Sequence, residues 1–151
     1  MSLDFQQSSA KGNEFVNSVA KELNVPRDMA GRIIRAVLHA LRNRISHEES
    51  FQLMAQLPLA LKAAYVDGWK YSKDFERIHH VSEFLDEVRK EDAGLAGYDF
   101  GNDERAEKAV TVVFFVLHDH VSAGEFTDVL ASLPLEISKF IRNGISKKEM
   151  L

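Results

Sequence analysis

The sequence predicts an all-α fold, in which two tandem four-helix repeats pack into one compact helical domain with no β-sheet. Three observations predict this class: an internal repeat, helix-capping signals at matching places in both copies, and apolar residues at helical spacing. The chain has 151 residues, of which 45% are hydrophobic and 28% charged. This apolar content is sufficient for a packed core and too high for a disordered chain.

The repeat becomes visible when the segment from Ala36 is aligned without a gap to the segment from Val112. The first reads AVLHALRNRISHEESFQLMAQLPLALKAAYVDGW and the second VVFFVLHDHVSAGEFTDVLASLPLEISKFIRNGI. Upstream, Asn13-Glu14-Phe15-Val16 matches Ser82-Glu83-Phe84-Leu85 after an insertion in the glycine-rich segment DAGLAGYDFGN, which composition assigns to a loop. The predicted organisation is a flexible N-terminus at 1–12, a first repeat at 13–69, a linker at 70–81, a second repeat at 82–145 and a frayed tail at 146–151.

Each copy is predicted to form four helices, whose starts carry capping signals. Ser46-x-x-Glu49 and Ser122-x-x-Glu125 are capping boxes, in which the serine hydroxyl accepts a hydrogen bond from an unpaired backbone N–H. Asn13 is predicted to be an N-cap as well. The expected helices lie at about 14–23, 27–45, 47–56 and 58–67, then at 83–91, 103–121, 123–132 and 134–143.

Proline, glycine and serine residues supply the remaining helix boundaries. Ser82 is predicted to be the N-cap that corresponds to Asn13. Pro58 and Pro134 are expected in first helical turns, where a missing N–H has no effect. Gly68 and Gly144 suit the left-handed position just beyond a helix end.

The most apolar stretch, AVTVVFFVLHDHV at 109–121, resembles a β-strand in composition but occupies the register of a clear amphipathic helix in the first copy. Tertiary context overrides propensity, so we predict a helix. Val112, Phe115 and Val116 stand where the first copy has alanine, histidine and alanine. These three residues form a candidate apolar interface, either between the repeats or with a second subunit.

His118 and His120 close this helix and raise the question of a metal site. Residues i and i+2 lie about 200° apart on a helix, so these two imidazoles are not expected to share one ion. The alignment pairs them with Arg42 and Arg44, and all four are expected to meet the unpaired carbonyls at the ends of their own helices. A metal would need His39 or the 79–80 pair from elsewhere, and no metal or cofactor is predicted.

The linker sequence WKYSKDFERIHH at 69–80 interleaves aromatic and basic residues. Such a mixture is typical of surfaces that clamp an anionic ligand or anchor a partner protein. The alternative is a linker whose aromatic residues seal the two halves together, and for Trp69 packing on the last helical turn is the expectation. The candidate ligand or partner surface comprises Tyr71, Phe75, Arg77, His79 and His80.

Several classes of function are disfavoured by composition. The net charge of −4 argues against nucleic-acid binding. The chain has no cysteine, which removes thiolate chemistry and suits a reducing compartment. No apolar run approaches the roughly 20 residues of a membrane span, and no signal-peptide pattern is present, so a cytoplasmic location without membrane partners is expected. No phosphate-binding loop, HExxH or serine elbow occurs.

Four segments together resemble the bacterial family called domain of unknown function 2267. They are RAVLHALRNRIS, LMAQLPLALKAAYVDGW, HHVSEFLDEV and VLHDHVSAGEFTDVLASLP, and they cover nearly the whole chain. The resemblance implies a small all-helical protein, often built from two related copies. It supplies no catalytic residues to place on this sequence.

The sequence therefore predicts a non-enzymatic helical interaction module, acting through a groove between the repeats or through self-association. The partner would be another protein or a second copy of the chain. The alternative is a small-ligand or metal-binding protein, with a pocket between the repeats that residues 69–80 line.

Overall fold

A computed structural model describes residues 4–70, 75–92 and 94–150 of the chain. Within these residues the regular secondary structure is entirely helical, which confirms the predicted all-α class. The two-copy organisation stays a prediction. The helices are α1 Phe5–Leu23, α2 Arg27–Arg44, α3 His47–Met54, α4 Leu59–Val66, α5 Val81–Glu91, α6 Ala96–Asp99, α7 Asp103–His118, α8 Ala123–Ala131 and α9 Leu135–Glu149.

Two of the predicted helix starts are confirmed atom by atom. The Ser46 hydroxyl accepts a hydrogen bond from the backbone N–H of Glu49 at 3.0 Å, and the Ser122 hydroxyl accepts one from Glu125 at 3.1 Å. Each bond satisfies one of the N–H groups that the first turn of a helix leaves unpaired. Local polar residues therefore fix the starts of α3 and α8.

The predicted N-caps Asn13 and Ser82 are wrong. Helix α1 begins at Phe5, where the Asp4 carboxylate accepts from two backbone N–H groups of the first turn. Helix α5 begins at Val81, one residue before Ser82, because a glutamate side chain from its first turn reaches back to the preceding backbone. Residues 5–12, which were expected to form a flexible N-terminus, belong to α1.

The predicted end of the last helix is also wrong. Gly68 has the expected left-handed backbone, with φ of 68°, but Gly144 lies inside α9, which continues to Glu149. A Cβ atom at Gly144 would stand 2.5 Å from Cγ2 of Thr111 on α7. Glycine at this position therefore permits close approach of α9 to α7 and does not end the helix. The glycine-rich loop before α7 likewise contains a short helix, α6.

Helix α7 lies at the centre of the fold, in contact with α1, α2, α5 and α9. Helix α2 packs against α1, α4 and α5. The first helix of each half thus packs on the long helix of the other half, since α1 meets α7 and α5 meets α2. The buried apolar side chains of both halves form one continuous cluster, so the halves share a single core.

The apolar face of α7 is covered from within the chain. Val112 and Val116 are 1% and 4% exposed, and Phe115 is half-buried against the core. Helices α1 and α9, both longer than expected, contact α7. Of the two alternatives for this face, burial of Val112 and Val116 within the chain favours packing between the halves. The corresponding face of α2 is covered too, since Ala36 is 0% exposed.

Candidate functional site

An open groove of about 580 Å³ lies between α1, the α3–α4 connection and the C-terminal end of α7. We name it the α1–α7 groove. Helix α1 contributes polar side chains, including Glu14 and Ser18, to one wall, and the connection contributes Leu57 and Pro58 to another. The groove crosses from the first half of the chain to the second, where the sequence predicts a boundary between copies.

The floor of the α1–α7 groove is apolar and its rim is charged. Leu57 and Val116 are 4% exposed at the floor, and the His120 ring lies 5.0 Å from the ring of Phe15. At the rim, the Glu22 carboxylate forms a 2.9 Å ion pair with the ammonium group of a lysine on α9. An apolar floor beneath polar walls is the usual construction of a site that receives part of another molecule.

The linker lies against the C-terminal end of α2. The Arg44 guanidinium stands 5.5 Å from the Phe75 ring centre and donates a 2.7 Å hydrogen bond to the carbonyl of Glu76. The same guanidinium donates to the Glu87 carboxylate of α5 at 2.7 Å. Phe75 is therefore half-buried and held by packing, while Arg77 is exposed. Tyr71, the other aromatic candidate, lies outside the described residues.

His79 and His80 hold the entry to α5 through their backbones. Both backbone N–H groups donate to the Glu83 carboxylate at 3.0 Å, which lowers the pKa of Glu83. The His80 ring lies 3.3 Å from the Glu136 carboxylate, which also accepts a hydrogen bond from the Val81 backbone at 2.6 Å. That backbone hydrogen bond lowers the pKa of Glu136. These backbone hydrogen bonds therefore hold residues 79–81 in place, while the rings of His79 and His80 face solvent.

Trp69 packs as expected, against the helices that flank the end of α4. Its ring lies 5.7 Å from the Tyr65 ring in an edge-on arrangement and 5.4 Å from the ring of His47. The Arg42 guanidinium stands 5.9 Å from the same indole. The Trp69 ring therefore packs over the end of α4 against α2 and α3, and the packing interpretation is confirmed for this residue.

The two histidines at the end of α7 contact different neighbours. His118 donates from Nδ1 to the carbonyl of Phe115, and its Nε2 lies 3.2 Å from the Glu149 carboxylate of α9. His120 instead stacks on a ring of α1. The two imidazoles therefore contact different parts of the fold. Within residues 4–70, 75–92 and 94–150, no group of three or more histidine, aspartate or glutamate side chains is arranged to bind a metal.

Arg42 and Arg44 do not cap their own helix as predicted. Arg42 donates to the carbonyls of Tyr65 and Asp67 at 2.6 and 2.8 Å, and both carbonyls belong to the end of α4. The physical reason is packing: α4 ends against the side of α2, so its unpaired carbonyls lie within reach of a buried guanidinium. Periodicity within one helix carries no information about which other helix ends beside it.

A pair of carboxyl groups that sequence reasoning treated only as helix caps meets where α3 packs on α8. Glu125 is 6% exposed, and burial together with a hydrogen bond to the Glu49 carboxyl raises the pKa of Glu125 to about 7. The two glutamates hold the same position in the aligned segments. That coincidence was the available signal, because residues at one repeat position meet when they lie close to a local two-fold axis.

A second carboxyl pair, Asp92 and Asp99, lies between α5 and α7. Both oxygens of Asp99 accept 2.9 Å hydrogen bonds from the Arg32 guanidinium. Burial favours the neutral acid at Asp99, but the guanidinium outweighs it and lowers the pKa of Asp99. Burial and the neighbouring Asp99 raise the pKa of Asp92 to about 7. The Asp99 side chain is 0% exposed and is held by Arg32, so we assign this pair a structural role.

In the described part of the chain the regular secondary structure is helical, and the cavities open to solvent are grooves. None of its helices is both long enough and apolar enough to cross a bilayer. Residues 12–140 match the family described as "Uncharacterized conserved protein (DUF2267)", and the chain belongs to this family. A search of curated proteins finds no match.

Proposed function

We propose that this protein is a non-enzymatic interaction module that binds a partner protein through the α1–α7 groove. One observation carries the proposal: an open groove of about 580 Å³ with a small apolar floor within a mainly polar, charged lining. The floor includes Phe115, the residue of the predicted apolar interface that remains half-buried. Partner surfaces of this kind bury an apolar anchor and place polar groups around it.

Between the two versions of the module, the contacts of α7 favour a different protein over a second copy. The residues that suggested self-association, Val112 and Val116, are buried under α1 and α9 of the same chain. A second copy would have to displace those helices to reach them. A partner in the α1–α7 groove needs no such rearrangement, because the groove is already open.

Charge supports a polypeptide partner and not a nucleic acid. The chain carries a net charge of −4, and the α1–α7 groove includes the carboxylates of Glu14, Glu22 and Asp119 against the ammonium group of Lys11. Phosphate backbones are repelled by such a rim, whereas a basic segment is attracted. The absence of cysteine supports a cytoplasmic setting for the encounter.

Selection from a random peptide library on the purified protein tests the proposal. We expect selected peptides to lose about tenfold or more of their affinity for Ser18→Trp, because the indole fills the groove at a half-buried wall position. Glu107→Trp is the matched control, since Glu107 is exposed on α7 and does not line the groove. Peptides that bind both variants equally well, or a failure to select any peptide, would contradict the proposal.

A small anionic ligand is the second candidate function. A cleft of about 500 Å³ beside the linker is lined by Arg44, Arg77 and His79, three groups that suit a negative charge. Native mass spectrometry of the protein with a panel of phosphorylated and carboxylated metabolites tests this candidate. Binding that Arg77→Ala abolishes would favour it over the protein-partner proposal, and an unliganded spectrum throughout would remove it.

A further inference from the structure

We infer that the α1–α7 groove binds an extended peptide segment in the way that residues 75–80 of this chain bind the corresponding surface of its second half. This inference rests on the proposed function and names the conformation and chemistry of the partner. It starts from a comparison of two surfaces in one molecule, of which one is partly covered by residues 75–80 and the other is covered by no described segment.

The two surfaces are lined by residues at the same aligned positions. On the helix connections, Leu57 and Pro58 of the α1–α7 groove correspond to Leu133 and Pro134 beside the linker. At the ends of the long helices, the side chain at position 120, two residues beyond α7, corresponds to that at 44, the last residue of α2.

The third wall corresponds in the same way. Helix α1 presents acidic groups to its groove at 14 and 22, and α5 presents carboxylates to the linker side at the equivalent positions 83 and 91. Three separate elements therefore line the α1–α7 groove, and their counterparts line two adjoining clefts that share Arg44, Phe75 and Ile78.

In the second half, residues 75–80 of the chain cover part of the corresponding surface and leave open clefts on either side. The Phe75 ring lies against the Arg44 guanidinium, and the next carbonyl accepts a hydrogen bond from that guanidinium at 2.7 Å. Ile78 packs against the hydrophobic core. The following two backbone N–H groups donate to Glu83 at 3.0 Å each. Residues 75–80 thus bind through an aromatic ring, an aliphatic side chain three residues later, and two backbone donors.

In the first half, the corresponding surface is left open because α1 takes another course. Its first two turns pack on α4, where a Cβ atom at Gly12 would stand 3.1 Å from the Cβ atom of Ala60. No segment of residues 4–70, 75–92 and 94–150 fills the α1–α7 groove. Glu14, the counterpart of the glutamate that holds the linker backbone, is exposed on its rim.

The correspondence defines the occupant. It is an extended segment with an aromatic residue against His120, an aliphatic residue three positions later against Leu57 and Phe115, and two backbone N–H groups that donate to Glu14. A basic residue between these anchors suits the acidic rim, as Arg77 does in the linker. Extended segments suit such a site because their backbone donors are unpaired before binding.

The probe for this inference is the chain's own segment, supplied as the acetylated and amidated peptide FERIHH. Titration into the ¹⁵N-labelled full chain is expected to shift amide signals of residues 14–18, 56–57 and 115–120. Transferred nuclear Overhauser effects should show an extended bound peptide. Ser18→Trp should weaken binding about tenfold or more, and Glu107→Trp should leave it unchanged.

Three variants distinguish the proposed contacts from non-specific binding. The peptide SERSHH, without its two apolar anchors, is expected to bind about tenfold or more weakly. Glu14→Gln should weaken FERIHH about fivefold, because a neutral amide is a poorer acceptor for backbone N–H groups than a carboxylate. Glu107→Gln on α7 is the charge-matched control. Equal binding of both peptides, or of Glu14→Gln and wild type, would overturn the inference.

The remaining outcomes distinguish this inference from the function on which it rests. Library peptides that occupy the α1–α7 groove as helices, with FERIHH inactive, would overturn the inference and leave the interaction function in place. If no peptide of any kind reaches the groove, both fail. A dimer in sedimentation that Ser18→Trp converts to a monomer would identify a second copy as the occupant and overturn the proposal of a separate partner.

Discussion

Helices α2 and α7 occupy matching places in the aligned halves, yet their buried faces are built differently. The face of α2 carries Ala36, His39 and Arg42, whereas the same positions of α7 carry Val112, Phe115 and His118. Both faces are covered by other helices of the chain. The two faces differ in exposure, since His39 and Arg42 are buried whereas Phe115 and His118 are half-buried. They also differ in the hydrogen bonds that the covering helix requires.

The covering helix in the first half ends, and its counterpart continues. Helix α4 stops at Val66, and its terminal carbonyls accept hydrogen bonds from His39 and Arg42. Burial lowers the pKa of His39, which keeps that donor neutral. Helix α9 runs on to Glu149, so its carbonyls at the matching positions are paired within the helix. The place where a covering helix ends therefore determines whether the helix beneath it must supply polar side chains to the terminal carbonyls.

The largest expected effect comes from breaking this polar contact. Arg42→Leu should lower the free energy of unfolding by about 3 kcal/mol, because it leaves the buried carbonyl of Tyr65 and the part-buried carbonyl of Asp67 without donors. His118→Leu, the matched change on α7, should cost less than about 1 kcal/mol, since His118 is partly exposed and bonds a carbonyl of its own helix. Urea denaturation of both variants measures the difference. Similar losses would contradict the comparison.

The two aligned glycines give the next largest effect. Gly144→Ala should destabilise the fold by about 2 kcal/mol, because its Cβ meets Thr111 at 2.5 Å inside a packed interface. Gly68→Ala should cost about 1 kcal/mol, through its left-handed backbone alone, since open space surrounds that position.

A second substitution separates these two mechanisms. Thr111→Ala removes the atoms nearest the new methyl group, so it should recover most of the stability that Gly144→Ala loses. The same Thr111→Ala change should do nothing for Gly68→Ala. Thermal unfolding of the four variants provides the measurement, and an absence of rescue would show that α9 does not depend on close approach to α7.

The carboxyl pair between α3 and α8 gives a smaller, pH-dependent effect. Because the folded pKa of Glu125, about 7, exceeds its ordinary value of 4.5, the folded chain holds this proton more tightly than the unfolded chain. This contribution to stability is therefore complete below about pH 4.5 and is lost as the pH rises through 7. Glu125→Gln should be more stable than wild type at pH 8 by about 1 kcal/mol and nearly equal to it at pH 5.

Asp92 supplies the control for this measurement. Its pKa is also about 7, so Asp92→Asn should remove a separate part of the same pH dependence, and the two changes should add. Unfolding curves at several pH values between 5 and 8 resolve the two contributions. An unchanged pH profile in Glu125→Gln would show that the pair with Glu49 does not hold a proton in the folded chain.

Local signals in the sequence were sufficient for the class of fold and for several helix ends. Apolar spacing identified α2 as a helix, and the aligned register of the second copy assigned α7 as a helix. The serine caps placed the starts of α3 and α8. These local signals could not predict which distant elements contact each other. The interior position of Gly144, the reach of Arg42 to another helix and the extension of α1 all depend on tertiary neighbours.

The candidate sites likewise divide into features that local sequence predicts and features that only tertiary contacts create. Packing of Trp69 followed from its place after a helix-ending glycine, a local feature. The α1–α7 groove did not follow, because its walls come from α1, the α3–α4 connection and α7, which no local pattern brings together. Val112 and Val116 were correctly identified as apolar positions, but the helices that cover them were expected to be shorter.

The smallest expected effect concerns the two serine caps and shows where the halves behave alike. Ser46→Ala and Ser122→Ala should each lower the free energy of unfolding by about 1 kcal/mol, because each removes one acceptor from a first-turn N–H. Ser122 also exchanges hydrogen bonds with Gln56, so its loss should be the larger by a few tenths of a kcal/mol. In a Gln56→Ala background that excess should disappear and leave two equal caps. If Ser46→Ala proved the more damaging substitution, the equivalence of α3 and α8 would not extend to their energetics.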